Sequence, residues 1–301
     1  MIMSNPFIPF SIAMITPFTE DGELYLEAIP SLIELYRSNK VPALLVSGST
    51  GEQHSMTVQE RILLFQEVKK AAAKDFLLYG GVAAVRTKDA AELAAAAESA
   101  GLDGIMLGFP PYLRINQQEA CHYVDKVCAY TNLPIMLYNN PPRTGFHLET
   151  ETLISLVSKF PQIMALKEAG DPSRLRFVKQ QLGKDFPVLS GSDLTVFENV
   201  KNGYDGITSI AGNTFPKLMK FIMDAITSKD FTAAETAFNK VKPLLEVMLE
   251  LGMLRSIKFM LNTQGIPAGI CRDPLSTLSE DEQKGLAAHY NVFLTQEKQS
   301  I

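Results

Sequence analysis

Ile163-Met164-Ala165-Leu166-Lys167-Glu168-Ala169 is the stretch that decides the fold. Four apolar residues run on without polar alternation, as in a strand covered on both faces of a parallel sheet. A lysine and a glutamate then close the run. Seven comparable runs flank it. Phe10–Thr16, Ala43–Ser47, Phe76–Tyr79, Gly104–Leu107 and Pro134–Tyr138 precede it, and Val188–Ser190 and Gly206–Ile210 follow. Most begin about 25 to 33 residues after the run before, the length of one strand-plus-helix unit. The last interval is shorter, so the helix after the seventh strand must be short. Helical patterns fill the gaps, among them Thr57–Ala73, Lys88–Ala100 and Gln117–Tyr130. Gly101 supplies the stop that ends the second of these.

Short apolar strands alternating with helices give an α/β protein with a parallel sheet. Eight units are the count for a closed (β/α)8 or TIM barrel, which takes ~250 residues. The chain has 301. The expected organisation is therefore a catalytic barrel over residues 1–224 and a C-terminal helical subdomain over residues 225–301, packed on the barrel's outside. An open doubly wound sheet is the rival. It needs a reversal point, and no GxGxxG follows the first strand.

Composition narrows the functional classes. The chain is 46% hydrophobic and 20% charged, as a soluble globular protein is. A net charge of −5 without a run of Lys and Arg argues against a nucleic-acid partner. Cys121, Cys128 and Cys271 form no CxxC pair, and we expect all three to be reduced and buried. The N-terminal segment is apolar but has no basic leader, and Pro6, Pro9 and Pro17 interrupt it, so it does not read as a signal peptide. No stretch approaches the ~20 apolar residues that span a bilayer. The cytoplasm is the expected location, with no membrane partner. His54, His122, His147 and His289 make no ligand spacing, and no metal is expected.

In a barrel, reactive groups gather at the C-terminal ends of the strands. Lys167 ends strand six. Position alone suits a lysine that snorkels to solvent; an apolar enclosure would instead lower its pKa and free the amine for attack on a carbonyl. Tyr138 ends the adjacent strand and can pass protons. Ser49 and Thr50 lie between Gly48 and Gly51 after strand two, in a turn able to aim backbone N–H groups at an anion. Arg143 follows Pro141-Pro142 and offers a two-pronged donor for a carboxylate. Strand seven ends in Ser190-Gly191-Ser192-Asp193. Glu52 and Glu168 read as holders of local structure, and Lys258 as a charge on a helix surface.

Taken in order, several segments resemble the dihydrodipicolinate synthase and N-acetylneuraminate lyase superfamily of pyruvate-dependent class I aldolases. They are Ser47-Gly48-Ser49-Thr50-Gly51-Glu52, Pro111-Tyr112, Tyr138-Asn139-Asn140-Pro141-Pro142-Arg143-Thr144-Gly145, Ala165-Leu166-Lys167-Glu168-Ala169, Leu189-Ser190-Gly191-Ser192-Asp193, Gly206-Ile207-Thr208-Ser209 and Ile257-Lys258. The resemblance implies that Lys167 holds pyruvate as an imine, without metal or organic cofactor. It implies that Tyr138, Ser49 and Tyr112 relay protons, with Tyr112 reaching the site of a neighbouring subunit in a homotetramer or homodimer. Thr50, Gly191 and the carbonyl of Thr208 would line the pyruvate pocket. Arg143 would receive the carboxylate of a small aldehyde. The implied reaction condenses pyruvate with L-aspartate 4-semialdehyde, toward diaminopimelate and lysine.

Three departures from the synthase pattern bear on the aldehyde. Ser49 stands where threonine is usual, the segment after Lys167 is one residue shorter, and Phe109-Pro110-Pro111-Tyr112-Leu113 carries one tyrosine rather than two. Two alternatives stay open: an aldolase acting on a 2-keto-3-deoxy sugar acid or a sialic acid, and a catalytically silent metabolite-binding barrel.

Overall fold

The computed structural model describes residues 4–298. Eight parallel strands close into a barrel in sequence order, with the first paired to the eighth. They are β1 (Phe10–Ala13), β2 (Ala43–Val46), β3 (Leu77–Gly81), β4 (Gly104–Gly108), β5 (Ile135–Asn139), β6 (Ile163–Glu168), β7 (Val188–Ser190) and β8 (Gly206–Ser209). Every expected run holds one strand. The largest difference is at β1, which stops at Ala13 rather than Thr16. Beyond it, the Ile15 N–H donates to the Asn213 side chain, 3.0 Å away, and the chain leaves the sheet.

The strands lack polar alternation because both of their faces are apolar. Ile12, Leu44, Val46, Leu78, Ile105, Leu107, Leu137 and Leu166 belong to the core between barrel and helices. Ala13, Leu45, Tyr79, Met106, Met136, Ala165 and Leu189 form a second core. These two sets alternate along each strand, as the period-two geometry demands. The second set fills the barrel's interior, as in other closed barrels of this size. Lys167 is two residues past Ala165, Tyr138 two past Met136, and Gly191 two past Leu189. All three therefore share the interior parity at the strands' C-terminal ends.

The helices are α1 (Ile29–Ser38), α2 (Val58–Ala72), α3 (Thr87–Ser99), α4 (Gln117–Cys128), α5 (Pro141–Thr144), α6 (Thr150–Lys159), α7 (Leu175–Leu182), α8 (Val196–Lys201), α9 (Pro216–Thr227), α10 (Phe231–Glu250), α11 (Met253–Thr263) and α12 (Glu280–Lys298). The helix after β7 is indeed short. A capping box starts α2, with Thr57 and Glu60 each receiving the other's backbone N–H. The expected domain boundary at 224/225 falls in the last turn of α9. That helix follows β8 and completes the eighth unit, so the extension begins after Thr227 and comprises α10 to α12. Residues 299–301 of the expected subdomain lie outside the described residues. Val241, Leu245, Met248, Ile257, Leu261 and Leu286 of the extension share one core with the barrel helices, so the extension has no core of its own. All three cysteines are free; Cys128 and Cys271 are buried and Cys121 partly so. No described helix is long and apolar enough to cross a membrane.

Candidate active site

β6 delivers Lys167 into the barrel mouth with only 4% of its surface exposed. Its Nζ stands 4.8 Å from the centre of the Tyr138 ring on β5, and the two residues are direct partners in the sheet. Burial drives the amine's pKa down to about 8; Arg143 pushes the same way and Asp193 opposes. No ion pair restrains it among the described residues. Gly191 makes the space: a Cβ there would stand 2.8 Å from Lys167 Cε.

A cavity of about 190 Å³ opens above the lysine. Ser49, Thr50, Tyr138, Arg143, Lys167 and Gly191 all line it, so six of the eight expected site residues converge. The Tyr138 hydroxyl accepts a hydrogen bond from Asn140 Nδ2, 2.5 Å away. Burial raises its pKa above the ordinary phenol range, so it stays protonated at neutral pH. In the turn after β2, Glu52 N–H donates to the Ser49 carbonyl at 3.1 Å and Gln53 N–H to that of Gly48 at 3.2 Å. Among the described residues nothing accepts from the N–H groups of Ser49 and Thr50. Two backbone donors thus remain unspent in the cavity that Lys167 also lines, where a carboxylate would use them.

Two expected residues stand elsewhere. Thr208 is not among the residues lining the cavity. Its hydroxyl accepts from Ser11 Oγ at 3.1 Å within the barrel, and Ile210, two residues on, lines the cavity instead. Tyr112 is 93% exposed on the rim after β4, with φ of +72°, and does not enter its own chain's cavity. Within one chain the expected relay of Tyr138, Ser49 and Tyr112 therefore lacks its third hydroxyl.

Glu168 holds local structure, as expected. It is buried, pairs with Arg174 at 2.5 Å, and accepts from Asn139 Nδ2 at 2.8 Å and Gly170 N–H at 2.6 Å. Gly170 suits this tight segment, since a Cβ there would stand 2.8 Å from Glu168 Oε1. Lys258 is not a surface charge. It is 2% exposed and its Nζ lies 2.6 Å from Glu52 Oε1. It stands on the same helical stripe as the buried Ile257 and Leu261, which brings it against the barrel.

Two further residues, Asp193 and Arg61, were given no role from the sequence. Asp193 is buried, accepting from Ser209 Oγ and from the N–H groups of Ile210 at 2.9 Å and Ala211 at 3.1 Å. Burial raises its own pKa, and its charge favours the protonated form of Lys167. Arg61 is buried on α2 and donates to Ser47 Oγ (2.8 Å), Gly81 O (2.6 Å) and Ala83 O (2.8 Å). Its burial lowers its pKa to about 10. It stood in the stripe of Leu64, Phe65 and Val68, a spacing that marks it as core-facing.

A buried amine that loses its proton readily, an adjacent phenol, free backbone donors and a guanidinium suit attack on the keto group of a small carboxylate. A model of the dihydrodipicolinate synthetase family matches residues 7–291. The 4-hydroxy-tetrahydrodipicolinate synthase of Moorella thermoacetica is 34% identical over 277 residues, covering 92% of this chain and 94% of that one. That of Bacillus subtilis is 31% identical over 279 residues, covering 92% and 96%. Among solved structures, the dihydrodipicolinate synthase of Aquifex aeolicus superposes with a TM-score of 0.90 at 29% identity, over 95% of this chain and 99% of its own.

Proposed function

As the chain belongs to the dihydrodipicolinate synthetase family, we propose that it is a class I lyase condensing pyruvate with L-aspartate 4-semialdehyde. The observation that carries this is Lys167: a buried amine with no ion pair among the described residues, its pKa down to about 8, in a cavity that Arg143 also lines.

The chemistry follows from the groups present. Neutral Lys167 Nζ attacks C2 of pyruvate, whose carboxylate takes the Ser49 and Thr50 N–H groups. The carbinolamine loses its oxygen as water, with Tyr138 supplying the proton, and an imine forms. The imine withdraws electrons from the methyl group, which gives up a proton to the Tyr138 phenolate left by that step and becomes an enamine. The enamine carbon attacks the aldehyde, and the new alkoxide takes that proton from Tyr138. The adduct's own amine then attacks C2 and expels Lys167, closing the ring. Overall one water leaves per ring formed. Tyr138 thus cycles between phenol and phenolate and regains its proton as the ring closes, in a scheme that calls on no metal or organic cofactor.

The reading extends to assembly and location. The exposed Tyr112, fixed at a positive φ on the rim, suits a hydroxyl donated to a neighbour's site, in a homodimer or homotetramer working in the cytoplasm.

Turnover of pyruvate with L-aspartate 4-semialdehyde, followed by ring formation, tests the substrate. Arg143→Ala should raise KM for the aldehyde about 10- to 100-fold, the effect of losing one charge-assisted bidentate contact, and leave KM for pyruvate within about twofold. Pyruvate release from a 2-keto-3-deoxy sugar acid, with no ring product from the semialdehyde, would overturn the choice of acceptor and keep the lysine chemistry.

A further inference from the structure

The turn carrying Ser49 and Thr50 begins and ends in an unusual conformation. Ser47 has φ of +56° and Glu52 of +54°, the left-handed region that non-glycine residues rarely enter. Such a turn persists only where its surroundings over-determine it. Arg61 grips its first end through Ser47 Oγ. The other end is gripped from the C-terminal extension. Glu52 is fully buried, with Lys258 of α11 at 2.6 Å from Oε1 and the Arg272 N–H at 2.9 Å from Oε2.

Both extension residues are themselves fixed. Lys258 Nζ also donates to the Ile270 carbonyl at 2.5 Å and lies 4.7 Å from the centre of the Phe18 ring. Arg272 stands over the same ring and donates to Gly22 O and Ser55 O, each at 2.7 Å. It also pairs with Glu60, the capping residue of α2, at 2.6 Å. Gly269 lets this segment press against the barrel: its φ is +64°, and a Cβ there would overlap the Phe18 carbonyl.

We propose that Lys258 and Glu52 are positioning residues for the site: through their buried pair the C-terminal extension holds the Ser49–Thr50 turn where its N–H groups meet the pyruvate carboxylate. This rests on the pyruvate reading above. The pair touches no substrate. It acts by fixing two donors, whose displacement by an ångström weakens binding.

The test is the pyruvate concentration giving half-maximal borohydride trapping on Lys167. Two variants keep the fold in view. Glu52→Gln keeps size and the acceptor for Arg272 but loses the charge. The double variant Glu52→Met with Lys258→Met replaces the pair by apolar groups, a change that buried pairs often tolerate. We expect the double variant to unfold near the wild-type temperature, Glu52→Gln, which leaves Lys258 without its counter-charge, to unfold below it, and both to trap fully at saturating pyruvate. The half-maximal concentration should rise about threefold in Glu52→Gln and at least tenfold in the double variant. If either variant fails to fold, the other carries the test. A wild type that traps, with folded variants matching its half-maximal concentration, overturns the positioning role and leaves the pyruvate reading intact. A wild type that does not trap overturns the pyruvate reading, and this one with it.

Discussion

Two lysines of this protein are almost equally buried, Lys167 at 4% exposure and Lys258 at 2%. Each ends up under an aromatic ring or beside one, at 4.8 Å from Tyr138 and 4.7 Å from Phe18. Burial lowers the pKa of both. What separates them is the counter-charge. Glu52 sits at 2.6 Å from Lys258 and draws it back toward the ammonium form. The carboxylate that acts on Lys167 is Asp193, whose oxygens are engaged by Ser209, Ile210 and Ala211, and Arg143 works against it. Burial works against the ammonium form of both lysines, and a carboxylate closes only on Lys258 to oppose it. On the proposed reading, one lysine is left to react and the other to brace.

The comparison predicts stability changes of opposite sign. Lys258→Met leaves the Glu52 carboxylate buried and unpaired and should cost about 3–5 kcal/mol. Lys167→Met should stabilise. The folded-state pKa of about 8 lies below the ordinary 10.5. Below pH 8 the native state must either keep an ammonium out of water or give up its proton, so the penalty is full there. It fades as pH rises from 8 to 10.5 and is gone above. At pH 7 its removal is worth on the order of 3 kcal/mol. Chemical denaturation of both variants at pH 7 measures the pair. Equal losses in both would erase the distinction.

The next effect is on rate. If only the neutral amine attacks, log kcat/KM for pyruvate should rise with unit slope below about pH 8 and level above it. Activity at pH 7 should then be about a tenth of the plateau. A profile flat from pH 6 to 9 would place the reactive amine elsewhere. The smallest effect sharpens the same point. Asp193→Asn removes the charge that favours the ammonium form of Lys167, so the limb should move to lower pH, by less than about one unit. Movement to higher pH would mean that hydrogen-bond loss outweighs the charge.

The sequence was legible wherever a property belongs to one strand. Apolar runs, their spacing and the parity of side chains placed eight strands and brought Lys167, Tyr138 and Gly191 to one cavity. The turn with Ser49 and Thr50 and the loop with Arg143 follow from the strand ends that launch them. Contacts between distant segments were not legible. Glu52 meets the N–H of Arg272 across 220 residues, and nothing in either neighbourhood announces it. Lys258 was read as exposed because a lysine on a helix usually is. Its place beside Ile257, on a buried stripe, argued otherwise. Thr208 shows the limit of motif order: a residue on the right strand need not line the cavity.

The most direct measurement is reduction with borohydride in the presence of pyruvate, followed by intact mass and peptide mapping. Each imine formed should be locked as one three-carbon adduct per chain, on Lys167 and not on Lys258. No adduct in folded protein would contradict the account. An adduct on Lys258 would overturn the distinction between the two lysines.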